Sequence, residues 1–121
     1  LKDMARIATK KRTTKETDIE VTLNLDGNRE QSDRYRNWIF DHMLDGMARH
    51  GLFDLTVKVN GDLDVDCHHT IEDTGIVIGQ AILEAVGDKA GIKRFGHMIL
   101  PMDETLALCA VDLSGRPYLK L

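Results

Sequence analysis

The sequence predicts an α+β fold with elements in the order ββαββα, followed by a second ββ opening. Three observations carry this. Asp18 to Leu25 alternates apolar and polar residues without a break, the mark of a half-buried strand. Trp38 to His50 places Ile39, Phe40, Met43, Leu44 and Met47 along one side at a helical period. Phe53 to Val59 alternates again and runs into Asn60-Gly61, a hairpin-type turn pair.

The chain has 121 residues, 42% hydrophobic and 30% charged, with three Phe, two Tyr and one Trp. That is the composition of a small folded domain with an aliphatic core. A net charge of -4 leaves no basic footprint for nucleic acid. Apolar runs fall short of the ~18 residues of a membrane span, and Leu1 to Lys11 has no signal-peptide pattern. Cys67 and Cys109 form no CxxC. A reducing, cytoplasmic setting is expected. Leu1 in the first position predicts residues upstream.

Ala5 to Thr14 reads as an edge strand, and Arg12 to Thr17 as a polar connection. Asp26-Gly27 forms a turn, and Asn28 to Arg36 a loop. Asn37 is placed to cap the first helix and Gly51 to end it at the C′ position. After Asn60-Gly61, Leu63, Val65 and Cys67 continue the alternation as a returning strand. The second helix starts near His69 or Thr70 and runs to Val86. Ile71, Ile78, Ala81, Ile82 and Ala85 form its expected buried face, with Gly75 and Gly79 allowing close packing on the sheet. Arg94 to Leu100 and Thr105 to Val111 are strand candidates joined by Pro101 to Glu104. Ser114 to Pro117 is a turn, and Tyr118 to Leu121 the start of another strand. The restart of the ββ pattern predicts an internal duplication. Residues 1–92 form the first repeat and 93–121 the opening strands of the second.

The chemistry concentrates in Asp66-Cys67-His68-His69-Thr70-Ile71-Glu72-Asp73. If the helix reaches back to His68, then His68 and Glu72 stack one turn apart, a ready pair of first-row metal ligands. His69 is turned by roughly 100° from His68 and points at something else. Surface histidines are the ordinary reading of a lone His-His. Here Asp66, Glu72 and Asp73 favour metal, because carboxylates beside imidazoles orient them and raise their basicity.

Several segments together match one family in order and spacing. They are Arg12-Thr13-Thr14-Lys15-Glu16-Thr17, Leu23 to Gly27, Phe40 to Leu44, Ala48 to Gly51, Asp66 to Asp73, Arg94-Phe95-Gly96, Pro101 to Glu104 and Asp112 to Pro117. On these the chain resembles imidazoleglycerol-phosphate dehydratase, a hydro-lyase of histidine biosynthesis, over about the first two thirds of a family chain. The resemblance implies a two-layer αβ sandwich: a four-stranded, mainly antiparallel sheet with two helices on one face, duplicated, in the ribosomal-S5-domain-2-like fold. It implies homo-oligomers, trimers assembling into an octahedral 24-mer, with two Mn²⁺ per active site held between subunits. Carried over, His42, His68, His69 and Glu72 are metal ligands and Glu16 is the acid/base residue. His50, Arg94, Asp103 and Arg116 bind the phosphate substrate together with Glu16.

The sequence departs from the family in three places. It has one His-His-x-x-Glu motif where the family has two. Asp33 to Trp38 is charged and bulky where the family has Thr-Gly and an apolar residue. Gly46 stands where the family often has Gln. Two readings follow. One is metal-dependent elimination of water from imidazoleglycerol phosphate to imidazoleacetol phosphate. The other is a catalytically impaired metal-binding assembly module on the same scaffold. The elimination expels hydroxide and removes a carbon-bound proton. Metal charge stabilises the negative charge this creates, and Glu16 is suited to move the protons. Guanidinium groups suit a phosphate.

Overall fold

A computed structural model describes residues 5–27, 32–34, 38–61 and 67–121. It divides into two units, 1–87 and 88–121.

The first unit is built on β1 (Ile7–Thr13), β2 (Thr17–Asn24), β3 (Ser32–Arg34), α1 (Trp38–Gly51), β4 (Asp54–Gly61) and α2 (Cys67–Val86). The sheet order is β1-β2-β4-β3. β1 and β4 flank β2 antiparallel, and β3 adds to β4 in parallel. The predicted four-stranded, mainly antiparallel sheet is present. The strict alternation of β2 works as read: Ile19, Val21 and Leu23 are buried, with Thr17 buried at the head of the same row. In register they meet Val59, Val57 and Leu55 of β4. Ala8 of β1, opposite Leu23, joins the same core. Leu44 and Ala48 of α1 and Val77, Ile78, Ala81 and Ala85 of α2 cover that row. Both helices therefore lie on one face of the sheet.

Several expectations change. The sheet's fourth strand is β3, from the stretch read as loop. Its strand state comes from pairing with the free edge of β4 rather than from any alternation of its own, and Asp33 and Arg34 are charges of the kind that edge strands carry. β4 runs through the expected turn, with Asn60 opposite Asp18 and Gly61 opposite Thr17. Cys67, expected at the end of a strand, already belongs to α2. The strand expected at Leu63 and Val65, the cap at Asn37 and the side chain of Ile39 lie outside the described residues. On α1, Met43 and Met47 are exposed and Ala48 is buried. The helical period located the apolar stripe, but the sheet covers only its Leu44–Ala48 side. On α2, Ile71 is exposed, Val77 is fully buried, and Gly75 and Gly79 face open space instead of the sheet.

Two close approaches fix the chain direction. A Cβ on Gly27 would stand 2.3 Å from the Asp54 carboxyl carbon, so the turn after β2 takes glycine. The left-handed residue after α1 is Leu52, φ 60°, and not Gly51. The Phe53 N–H donates to the Ala48 carbonyl at 3.2 Å, closing a Schellman end around Leu52. A left-handed L-residue costs ~1–2 kcal/mol, part of which glycine's larger unfolded entropy takes back. Leu52 is half exposed. Leu52→Gly is expected to stabilise the chain by about 0.5–1 kcal/mol, read as a higher urea midpoint at unchanged slope.

A second clamp joins the start of β1 to the turn after β2. Arg6 donates from its backbone N–H (2.8 Å), Nε and Nη2 to the Asp26 carboxylate. These hydrogen bonds hold Asp26 at about 2, well below the usual carboxylate range. The pKa is lower in the folded chain than in the unfolded one. The clamp's stability is therefore present above the unfolded value of ~3.9 and is lost as pH falls toward about 2. An NMR titration should place the Asp26 midpoint near 2 and return it to about 3.9 in Arg6→Met.

The second unit is a hairpin of β5 (Phe95–Met102) and β6 (Thr105–Asp112). The connection is shorter than expected: Met102 pairs with Thr105, leaving Asp103 and Glu104 as the turn, with Asp103 at φ 51°. Pro101 sits within β5 opposite Leu106, tolerated because a two-stranded ribbon leaves each strand an open edge. The Ser114 to Pro117 turn forms, with Gly115 at φ 80° and the Arg116 N–H donating to Ser114 Oγ at 3.1 Å. Tyr118 to Leu121 is not a strand. Its apolar pattern finds no strand to pair with among the described residues.

Candidate metal and active site

α2 begins early enough to place His68, His69 and Glu72 on its first turn and a half. All three are exposed. The two imidazole rings lie 6.1 Å apart, centre to centre, with their planes at 74° to each other. His42 is exposed on α1, and His50 is exposed in its last turn. Among the described residues no three His, Cys, Asp or Glu side chains converge on one point. The donors are the imidazole nitrogens and carboxylate oxygens that suit Mn²⁺ and its first-row neighbours. In chemistry they fit such an ion.

The acidic neighbours divide their work differently from the sequence expectation. Asp66 lies outside the described residues. Among the described residues Asp73 bonds no imidazole: it accepts from Thr17 Oγ1 at 2.8 Å and from Arg12 Nε at 3.2 Å. Asp41, next to His42, has one buried carboxylate oxygen without a hydrogen-bond partner among the described residues, and burial pushes its pKa up.

Glu16 is exposed in the turn between β1 and β2. Thr14 organises that turn. Its Oγ1 accepts the N–H groups of Glu16 (3.3 Å) and Thr17 (3.0 Å), and its own N–H donates to the Thr17 carbonyl at 2.7 Å. Thr17 is buried beneath it. Sequence reasoning gave Thr14, Thr17 and Arg12 no part in the site. The signal was their position beside Glu16 in a polar run.

In the second unit, Arg94 is engaged by Asp112, Nε to Oδ1 at 2.7 Å and Nη2 to Oδ2 at 3.1 Å. The hydrogen bonds from Arg94 hold the Asp112 carboxyl below its usual range, with Arg116 adding attraction, and they make the guanidinium harder to deprotonate. The Arg94 guanidinium also sits over the Phe95 ring, 4.9 Å from its centre. Arg116 is exposed beside a pocket of ≈ 320 Å³ that Asp112, Ser114 and Tyr118 help to line. Asp103 is exposed at the hairpin turn, at the opposite end of the ribbon from the paired ends Phe95 and Asp112. Asp112 pairs with Arg94 and feels the charge of Arg116, an arrangement that sequence reasoning did not assign.

A helix–sheet layer carrying a His-His-x-x-Glu turn defines the class as an α+β protein with a candidate metal-dependent site. Comparison with known proteins narrows it. The solved structure of imidazoleglycerol-phosphate dehydratase from Staphylococcus aureus superposes with a TM-score of 0.78 at 38% identity, covering 93% of this chain and 60% of that one. The Pyrococcus furiosus structure gives 0.70 at 36%, covering 90% and 57%. The imidazoleglycerol-phosphate dehydratase of Lachnoclostridium phytofermentans is 60% identical over 116 residues, 96% of this chain and 59% of its own length. That of Geobacter sulfurreducens is 58% identical over 116 residues, 96% and 60%. The sequence model of the family matches residues 37–121. The chain belongs to the imidazoleglycerol-phosphate dehydratase family. It spans about 60% of the length of the relatives it matches.

Proposed function

We propose that this chain supplies the first metal motif, the proton-moving carboxylate and the phosphate anchors of a dehydratase. The reaction is elimination of water from imidazoleglycerol phosphate to imidazoleacetol phosphate, a step of histidine biosynthesis in the cytoplasm. The observation that carries the reading is the start of α2. There His68, His69 and Glu72 face solvent on the first turn and a half, next to Asp73, which ties down the turn of Glu16. His42, His68, His69 and Glu72 would hold Mn²⁺, with further ligands supplied by a second motif and by neighbouring subunits. The bound ion supplies the positive charge that stabilises negative charge developing on the substrate imidazole. Glu16 takes and returns protons at the reacting carbons. Arg94 and Arg116 grip the phosphate and His50 lines the substrate; Asp103, at the far end of the hairpin from Arg94, lines a site shared with a neighbouring copy. Asp112 keeps Arg94 charged and aimed until phosphate arrives. The partner is a second copy of the chain, in trimers that build an octahedral 24-mer. The incomplete ligand set and the exposed Met43, Met47, Ile71 and Leu83 support association.

The test is release of imidazoleacetol phosphate in excess Mn²⁺. The chain is assayed alone and mixed with a polypeptide carrying the remaining segment of a relative. With one metal motif, the chain alone is expected to be inactive or very slow, and the mixture to turn over. A folded, metal-loaded mixture that stays inactive would favour the non-catalytic assembly module instead. Recovery only after a Thr-Gly stretch replaces the charged 33–38 segment would place the fault there. Family-like turnover by the chain alone would remove the need for a second motif.

A further inference from the structure

We infer that Asp73 is a positioning residue: it locks the turn carrying Glu16 onto the turn of α2 carrying His68 and Glu72. The carboxylate bridges two elements 56 residues apart in sequence. Its side chain is only 15% exposed. An ionised carboxylate only accepts hydrogen bonds, which sets the direction of every bond leading to it. Thr17 has one hydroxyl hydrogen and gives it to Asp73 Oδ2 at 2.8 Å. The 2.9 Å contact between the two threonine hydroxyls then has Thr14 as donor and Thr17 as acceptor. Thr14 Oγ1, its hydrogen spent, accepts from the Glu16 and Thr17 N–H groups. The result is a one-way chain from the backbone at Glu16, through two hydroxyls, to a charge on α2. Such aligned bonds reinforce one another. Arg12, on β1, holds the second carboxylate oxygen at 3.2 Å and keeps the group oriented.

The arrangement explains why a carboxylate follows Glu72 without serving a histidine. α2 is a rigid rod. Asp73 adjoins Glu72 in sequence and stands one helical turn beyond His69, so its position is fixed relative to both. Tying the Glu16 turn to Asp73 sets the distance between the proton mover and the metal-binding turn before any substrate arrives. Pre-organisation of this kind is worth a great deal, since a displacement of ~1 Å can cost ~10²-fold in rate.

This inference rests on the proposed role of Glu16, and the experiment separates the two. Thr17→Val keeps the shape and removes the hydroxyl; Thr17→Ser keeps the hydroxyl; Asp73→Asn removes the charge. Amide hydrogen exchange is measured on the 121-residue chain, and kcat and KM on the mixture with its complementing segment. In Thr17→Val and Asp73→Asn, exchange at Glu16 and Thr17 should quicken about 10-fold or more, while core amides such as Val21 and Val57 hold, so that only local opening has changed. kcat should fall ~10- to 100-fold with KM within about twofold, and Thr17→Ser should restore both. Unchanged exchange at Glu16 overturns the clamp, whatever the turnover. Faster exchange with unchanged kcat overturns its positioning role. Faster exchange in the variants, together with a wild-type mixture that never turns over, leaves the clamp standing and overturns the dehydratase reading.

Discussion

In equilibrium dialysis against Mn²⁺, the chain is expected to bind metal and the His68→Ala, His69→Ala double variant to lose it. Removing even an outer-shell partner of a metal site costs ~10- to 100-fold in affinity. Two direct ligands should cost more than that. His68 and Glu72 are four residues apart on a helix, so one ion can reach both, and His69 is rotated away from that pair. No third donor converges on either group among the described residues, so the metal is held firmly only where another chain or segment adds ligands. Light scattering should accordingly show association with Mn²⁺ that reverses with chelator. The variant should stay dissociated under both conditions. The alanines remove little packing, because both imidazoles are exposed, so the variant's melting curve should stay close to that of the parent. Equal metal content in the two proteins would sink the assignment.

The sheet was readable wherever a strand carries its own pattern. In β2 every second residue is apolar from Ile19 to Leu23, and one buried face follows from that period alone. β3 has three residues and no alternation. It is a strand because β4 offers a free edge, which is information held by another segment. The same limit explains α1. Its stripe was legible, but whether Met43 or Ala48 meets the sheet depends on how the helix is rolled. In the site, the i, i+4 spacing of His68 and Glu72 gave their placement on one face directly. Asp73 was misread because it follows the His-His pair within one helical turn in sequence, whereas its partners in space are Thr17 and Arg12. The same blindness to long-range contact hid Asp112, which reads as the end of a strand until the hairpin brings Arg94 beside it.

Glu16→Gln, made in the chain and assayed with its complementing segment, is expected to lower kcat by about 10²–10⁴-fold, the range for losing a positioned proton-transfer group. Gln has the same shape and cannot take up a proton. The turn should survive the change, because the bonds that shape it come from the Glu16 backbone N–H and the hydroxyls of Thr14 and Thr17, not from the Glu16 carboxylate. Metal binding should survive as well, since Glu16 stands outside the metal-binding turn of α2. KM should change little if Glu16 acts mainly in the transition state. A loss of Mn²⁺ affinity alongside the loss of rate would make Glu16 a ligand instead of a proton mover. Unchanged turnover would leave the elimination without its acid/base group on this chain. A fall in kcat confined to Glu16→Gln, with Lys15→Gln beside it at parental rate, is the result that assigns the proton transfer to this one exposed carboxylate.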